Sequence, residues 1–256
     1  MARLAWDQTG ERRYETGVDH GVLYVYDPNR KEYETGVAWN GLTTVTNSPS
    51  GAEPNAVYAD NIKYLNLISA EEFGATIEAY TYPEEFEQCD GSVTNSGISL
   101  GQQARRPFGF AYRTRVGNDT QGDQFGEKIH VIYNALATPS ESSFNTVNDS
   151  PEAITFSWTV STTPVPFDQE GAYSSLRPVS RMSFDSTKMS REAYETLTNI
   201  LWGTREENPR LPEPSELLET LNFTVPSGSN PTNNPGGAPS QPTQPGDTTV
   251  VPGETP

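Results

Sequence analysis

Apolar and polar side chains alternate with a period of two along most of the chain, a pattern typical of half-buried β-strands. The clearest example is AITFSWTVS, residues 153–161, with apolar residues at even positions and Thr or Ser at odd positions from 155 onward. The segment FGFAYRTRV, residues 108–116, alternates likewise and places Arg113 and Arg115 opposite its aromatic residues. Further strands are predicted at Val22–Tyr26, Glu34–Trp39, Ile62–Ile68, Phe73–Tyr82, Ile129–Asn134 and Arg181–Asp185.

One segment has helical periodicity instead, SREAYETLTNILWG at residues 190–203. Ser190 is a favourable N-cap, and Glu192 lies in the first turn, where the helix dipole favours a carboxylate. Gly203 marks the C-terminal end. Apolar residues form one stripe along the predicted helix: Tyr194, Leu197, Ile200 and Leu201.

The order of these elements predicts the fold class. A shorter helix is predicted at Glu216–Leu221. Many strands followed by one good helix predict a mainly β protein, a β-sandwich or barrel with one flanking α-helix, over residues 1–225. Residues 226–256 contain eight Pro and five Gly among 31 residues and no aromatic residue. Such a segment buries too little apolar surface to offset its ordering entropy, so it is predicted to be a disordered linker or tail.

The charge of the chain excludes some classes of partner. The formal net charge is −17, from 34 acidic and 17 basic residues. A tight nucleic-acid binder needs a basic face, and an anionic membrane surface repels acidic proteins, so both partners are disfavoured. Cys89 is the single cysteine, no run of 18 apolar residues occurs, and the N-terminal residues lack a secretory h-region. These features predict a protein made in a reducing cytoplasm.

Five carboxylates lie within thirteen positions that contain no Lys or Arg: Glu78, Glu84, Glu85, Glu87 and Asp90. On an extended backbone Glu85 and Glu87 would face the same way, with Cα atoms roughly 6.5–7 Å apart. Catalytic carboxylate pairs, however, normally come from different elements around a cleft. The spacing also matches no calcium-binding loop. The cluster therefore indicates a negative surface, and no catalytic residue, metal site or cofactor is predicted.

Four of the 17 basic residues fall within eleven positions: Arg105, Arg106, Arg113 and Arg115. One interpretation is a solvated face. The other is a subunit interface that meets an acidic surface on another copy of the chain. Aromatic residues offer a different binding hypothesis, because rings can stack on sugars, although packing in the core is the favoured interpretation; the candidates are Trp6, Trp39, Tyr80 and Tyr82.

Long segments of the sequence resemble a known family. They are SPSGAEPNAVYADNIKYLNLISAEEFGATIEAYTYPEEFEQCDG (48–91), GQQARRPFGFAYRTRVGND (101–119), KIHVIYNALATPSE (128–141) and NDSPEAITFSWTVSTTPV (148–165). Together they resemble the major tail protein of long-tailed bacteriophages that infect Gram-positive bacteria. The resemblance covers about residues 1–203 and leaves out the Pro/Gly-rich C-terminal segment.

The resemblance implies a structural virion protein with a β-sandwich or barrel fold and no catalytic residues. Six copies would form a ring, and stacked rings would form the tail tube through which DNA passes without tight binding. Assembly would take place in the host cytoplasm, with the tape measure, distal tail and tail terminator proteins as further partners. Charge then places the five carboxylates at the lumen or the seam between rings and the four arginines at subunit interfaces. The alternative function is a virion-surface β-sandwich that binds host glycan.

Overall fold

The computed structural model describes residues 3–139, 144, 146, 153–168 and 171–226. This part of the chain is mainly β, as the alternating pattern predicted. Its strands are β1 (Arg13–Asp27), β2 (Glu32–Tyr33), β3 (Val37–Trp39), β4 (Leu42–Asn47), β5 (Ser50–Gly51), β6 (Pro54–Ala59), β7 (Ile62–Ile68), β8 (Glu71–Glu72), β9 (Gly74–Ala79), β10 (Val93–Asn95), β11 (Ile98–Leu100), β12 (Phe108–Asn118), β13 (Gly122–Ala137), β14 (Phe156–Thr162) and β15 (Arg181–Asp185). Its helices are a 3₁₀ turn (Glu84–Phe86), α1 (Glu87–Asp90), α2 (Arg191–Trp202) and α3 (Pro214–Thr220).

Nine of these strands form one antiparallel sheet. Its main order is β2-β1-β12-β13-β14-β9-β4, with β15 added to β13 and β3 added to β1. The 16-residue β13 pairs first with β15 and then with β14 along the same edge, so the sheet bends along this strand. The bend brings β4 against β1: a Cβ atom added to Gly21 would lie 2.5 Å from Leu42 Cδ1. The sheet therefore curls around an interior.

That interior is a core of aromatic residues on the concave side of the sheet. Phe86, from the 3₁₀ turn, lies with its ring centroid 4.5 Å from that of Trp39 and 5.1 Å from that of Trp158. Phe108 and Phe110 from β12 complete the group, and both are fully buried. The Phe86–Trp158 pair is edge-to-face, and such pairs add about 0.5–1.5 kcal/mol each beyond the burial of their area.

A second core lies on the convex side, where α2 and α3 cover β1, β12 and β13. Tyr24 of β1 donates its hydroxyl hydrogen to the carbonyl oxygen of Leu201 in α2, at 2.5 Å. The N-terminus of α2 is capped by Ser190, whose hydroxyl accepts a hydrogen bond from the backbone N–H of Ala193. The helix predicted at 190–203 is confirmed, and α3 is the shorter predicted helix, displaced by two residues or fewer at each end.

Several strand boundaries differ from the predicted ones. β7 matches its prediction at both ends, whereas β9 is shorter than Phe73–Tyr82 and β3 shorter than Glu34–Trp39. Strands β4, β6, β10 and β11 were not predicted, because they are short and none of their residues is fully buried. The predicted disordered segment lies outside the described residues, apart from Pro226. No helix in the described ranges is long and apolar enough to cross a membrane.

Candidate assembly surfaces

A two-stranded ribbon projects from the sheet between β4 and β9. β6 and β7 pair with each other and, among the described residues, with no other strand. Their connection is Asp60–Asn61, both with positive φ (51° and 64°), as a tight hairpin turn requires. β5 and β8 pair at the base of the ribbon. We call residues 50–72 the arm.

The arm exposes a large amount of apolar surface. Tyr58 is 69% exposed, and the other exposed apolar side chains of the arm are Ile62, Tyr64, Leu65, Leu67 and Ile68. Monomeric proteins rarely leave contiguous apolar patches larger than a few hundred Å² in water, and larger patches mark interaction sites. An isolated two-stranded hairpin is also only marginally stable in water. Both features make the arm a candidate interaction surface.

A second exposed ribbon, β10–β11, lies beside the acidic segment. Its apolar side chains Val93, Ile98 and Leu100 are all at least half exposed. It turns through Ser96 and Gly97, both with positive φ. An open groove runs between the ribbon and three carboxylates, those of Glu84, Glu85 and Glu87. An apolar ribbon is thus flanked by negative charge.

The acidic segment is helical where an extended loop was expected. Glu84 and Glu85 belong to the 3₁₀ turn and Glu87 to α1, so Glu85 and Glu87 do not face one way along a strand. The helical turns form because Phe86 and Cys89, three positions apart, are both fully buried in the concave core. With these two side chains anchored, Glu84 and Glu85 are exposed and Glu87 is half-buried.

The five carboxylates do not form one cluster. Asp90 lines a different depression, together with Arg105. Glu78 lies in β9, opposite Thr44 of β4 and Ser157 of β14. Among the described residues no group of three His, Cys, Asp or Glu side chains is arranged to hold a metal ion. Burial raises the pKa of the Cys89 thiol to about 12, so this residue is a core side chain and not a reactive thiolate.

Glu78 lies on a sheet face made mostly of hydroxyl side chains. Side chains on β4, β9 and β14 that alternate with the core residues form cross-strand rows, Thr44–Glu78–Ser157 and Thr46–Thr76–Thr159. These positions are exposed or half-buried. We call this the hydroxyl face; its six residues are Thr44, Thr46, Thr76, Glu78, Ser157 and Thr159. It combines one carboxylate with five small neutral side chains and no base.

Arg113 binds carboxylates of its own chain, which corrects the prediction that its partners belong to a neighbouring subunit. Its guanidinium donates two hydrogen bonds to Asp19, at 2.7 and 2.9 Å, and one to Glu127 at 2.6 Å. The hydrogen bonds from Arg113 lower the pKa of Asp19. The Arg113 side chain is only 12% exposed. The predicted side of the strand was right, but α2 covers that side: Trp202 lies under the guanidinium, and Tyr194 donates to Glu127.

The other three predicted interface arginines also have intramolecular partners. Arg115 pairs with Asp123 at 3.0 Å and remains half exposed. Arg105 donates to the carbonyl oxygen of Ala137. Arg106 donates to the carbonyl oxygen of Tyr26 and to the carboxylate of Glu34. These arginines therefore connect loops and strands within one chain. Their contacts in the structure supply no evidence for an intersubunit patch.

A polar network around His130 was not predicted, because its members are far apart in the sequence. His130 Nε2 lies 3.0 Å from Glu15, and Arg181 Nη2 lies 3.3 Å from His130 Nδ1. Burial alone would raise the pKa of Glu15, but hydrogen bonds from Thr114, Lys128 and His130 outweigh it and lower that pKa to about 2. Burial lowers the pKa of His130 below its ordinary 6.5. The network joins four strands and stabilises the sheet.

The four aromatic residues proposed for sugar stacking do not share a surface. Trp39 is 2% exposed, and its indole N–H donates to the carbonyl oxygen of Thr81. Tyr82 packs against Phe86, Phe156 and Trp158. Trp39 and Tyr82 are therefore part of the concave core, and only Trp6 and Tyr80 are exposed.

The described residues offer these candidate binding surfaces: two ribbons with exposed apolar side chains, the carboxylates beside one of them and the hydroxyl face. None of them has the enclosed shape of a small-molecule pocket. No protein-family model and no curated protein matches this sequence.

Proposed function

We propose that this chain is a structural protein that assembles with copies of itself into stacked rings, and that the stack is the tail tube of a long-tailed bacteriophage. The arm is the observation that carries the proposal. The segment from 50 to 72 exposes six large apolar side chains on a ribbon that the described part of the chain leaves uncovered. The resemblance of residues 48–91 to major tail proteins includes the whole arm.

A protein partner explains the arm better than a small ligand does. Six half-exposed side chains offer on the order of 600 Å², close to the roughly 800 Å² that each partner buries in a standard protein interface. The ribbon projects as a separate two-stranded sheet, whereas small-molecule sites are concave. A projecting arm that docks on a different surface of the next copy makes a heterologous contact, which generates rings and open stacks.

Charge supports a tube that conducts DNA without holding it. Carboxylates repel phosphates within about one Debye length, roughly 8 Å at physiological salt, while clustered lysines in the bore would retain the DNA. The chain has 34 acidic and 17 basic residues. The hydroxyl face, with Glu78 and no base, is the surface that best fits the lumen wall. The carboxylates beside β10–β11 better fit the seam between subunits.

The test is the assembly state of the purified protein. Sedimentation velocity and negative-stain electron microscopy should show rings or tubes as the concentration rises, or when a purified tail initiator complex is added. Monomers under both conditions would overturn the proposal. Monomers that also bind host glycan would favour the virion-surface alternative.

A pair of matched variants links assembly to the arm. Leu67→Lys/Ile68→Lys adds two charges to exposed positions of the arm and should abolish assembly without changing the melting temperature of the monomer. Thr196→Lys/Asn199→Lys adds the same charges to the exposed side of α2 and should assemble normally. Equal loss of assembly in both variants would trace the effect to net charge and not to the arm.

A further inference from the structure

We propose that the arm is clamped between two neighbouring subunits, one on each side of the ribbon; this inference rests on the proposed self-assembly. Paired residues in a ribbon point to the same side, so the register assigns each side chain to a face. The first face contains Ile62, Leu65 and Leu67, and the second contains Tyr58 and Ile68. Tyr64 lies at the irregularity in the register and is assigned to neither face.

Both faces are apolar and exposed, which is unusual for an antiparallel ribbon. A ribbon that lies on one surface normally has one apolar and one polar face. In the arm, Ile62 and Leu67 on the first face are 64% and 56% exposed, and Tyr58 and Ile68 on the second are 69% and 62% exposed. A single docking surface would leave one of these faces in water. Two surfaces, supplied by two subunits, cover both.

The charges of this chain indicate which surface meets the second face. Lys63 is the only base among residues 50–72, and it pairs with Tyr58, so it belongs to the second face. The ribbon β10–β11 exposes Val93, Ile98 and Leu100 beside the carboxylates of Glu84, Glu85 and Glu87. It complements the second face in both apolar area and charge. The occupant of the second face is therefore the β10–β11 region of a neighbouring copy.

The first face has no charged residue in its paired positions. Its members Asn55, Val57 and Ala59 on β6 face the same side as the three apolar residues of β7. An uncharged face of this kind is suited to an uncharged surface of a second neighbour. The arm then lies between two neighbouring copies, so a substitution on either face weakens assembly.

Face-specific variants test the clamp. Leu65→Thr/Leu67→Thr removes apolar surface from the first face, and Tyr58→Thr/Ile68→Thr from the second, while Thr keeps the propensity for a strand. Each variant should raise the concentration needed for assembly at least about tenfold, measured by sedimentation velocity, with the monomer melting temperature unchanged. If only one of the two variants raises the concentration needed for assembly, the arm contacts a single subunit and the proposal of two contacting subunits is overturned. If the native chain itself does not assemble, the proposed function fails, which is a different result.

A charge exchange tests the docking site of the second face. Lys63→Glu should raise the concentration needed for assembly, and so should Glu84→Lys/Glu85→Lys. Combined in one chain, the substitutions should restore most of the loss, because opposite charges again meet across the joint. Additive losses in the combined variant would overturn the assignment of the second face to the β10–β11 region. The control pair Glu195→Lys with Lys188→Glu exchanges charge near α2 and should leave assembly unchanged.

Discussion

The curled sheet and the arm are both β-structure rich in large apolar residues, but their side chains have opposite surroundings. Phe86 in the sheet's interior is fully buried between two tryptophan rings, whereas Tyr58 in the arm is mostly exposed. The sheet has cores on both sides, the concave aromatic core and the convex core under α2 and α3. Among the described residues no other strand pairs with β6 or β7, and the large apolar side chains of the arm are exposed. Apolar content therefore does not reveal whether a strand serves the fold or a contact with another molecule.

The difference predicts that folding and assembly can be changed separately. Substitutions in the sheet should act on the free energy of unfolding of the monomer. Substitutions in the arm should act on association, because the arm contributes little buried area to the monomer. The predictions below are ordered by the expected change in the free energy of unfolding, from the largest to the smallest.

Phe86→Ala should lower the free energy of unfolding by about 3–5 kcal/mol, because it leaves a cavity in the aromatic core that rigid neighbours cannot fill. Tyr64→Ala, the matched change in the arm, should alter it by about 0.5 kcal/mol or less. Urea unfolding of the monomer, followed by tryptophan fluorescence, measures both. A loss at Tyr64 comparable to that at Phe86 would show that the arm is packed on its own monomer and would remove the contrast.

Arg113→Ala should lower the free energy of unfolding by about 2–3 kcal/mol. The substitution leaves Asp19 and Glu127 without their main donor, and both carboxylates are partly buried. Arg115→Ala is the control, since that side chain is half exposed, and it should cost about 0.5–1 kcal/mol or less. Denaturant unfolding at low and high salt measures the two effects. Unchanged stability with lost assembly in Arg113→Ala would return this residue to an intersubunit role.

Stability should fall in two steps as the solution is acidified. The folded-state pKa of His130 is lowered from its ordinary 6.5, so its contribution is present above that value and is lost as pH falls below it. The pKa of Glu15 is lowered from 4.5 to about 2, so its contribution is present above 4.5 and is lost as pH falls toward 2. Because Glu15 is partly exposed, its contribution is about 1–2 kcal/mol after solvent screening.

Glu15→Gln removes the lower step; it also removes the hydrogen bond that raises the pKa of His130 and so enlarges the upper step. This variant should be less stable than the native chain at pH 7 and should lose less stability between pH 4.5 and 2. Glu219→Gln removes an exposed carboxylate from α3 and serves as the control. Urea unfolding at pH 7, 4.5 and 2 makes the comparison. Parallel curves for Glu15→Gln and the native chain would show that the network around His130 does not carry the acid sensitivity.

The periodicity of the sequence predicted strands and a helix, but it did not show which other parts of the chain pack over them. Alternation located β7 and β14, and the caps at Ser190 and Gly203 located α2, because these signals are local. Strand β6 was missed because Pro54 and Asn55 are typical of loops. Alternation also cannot tell that a strand has no covering layer on either side, so the arm was not recognised as a surface feature.

The candidate site shows the same limit. The alternation of β12 correctly placed Arg113 opposite the aromatic residues, but it gave no information on the helix that covers that side. The network of Glu15, His130 and Arg181 joins positions more than fifty residues apart, and no spacing in the sequence brings them together. The acidic segment was predicted as a surface, but its helical form depends on the burial of Phe86 and Cys89. Long-range packing decides each of these features.

The smallest expected change in stability, a few tenths of a kcal/mol, belongs to Glu78→Lys, because its cross-strand neighbours Thr44 and Ser157 are uncharged and the position is not fully buried. Its functional effect should be large. If the hydroxyl face lines the lumen, one lysine in every subunit of every ring creates a repeated series of phosphate contacts. Virions that carry Glu78→Lys should therefore build tails of normal length but eject DNA more slowly than the native virion, most of all at low salt. Glu195→Lys makes the same charge change on the exposed side of α2 and controls for the total charge. Equal slowing in both variants would show that the total charge, and not the position of Glu78, slows ejection. Normal ejection at low salt by Glu78→Lys virions would show that the hydroxyl face does not line the lumen.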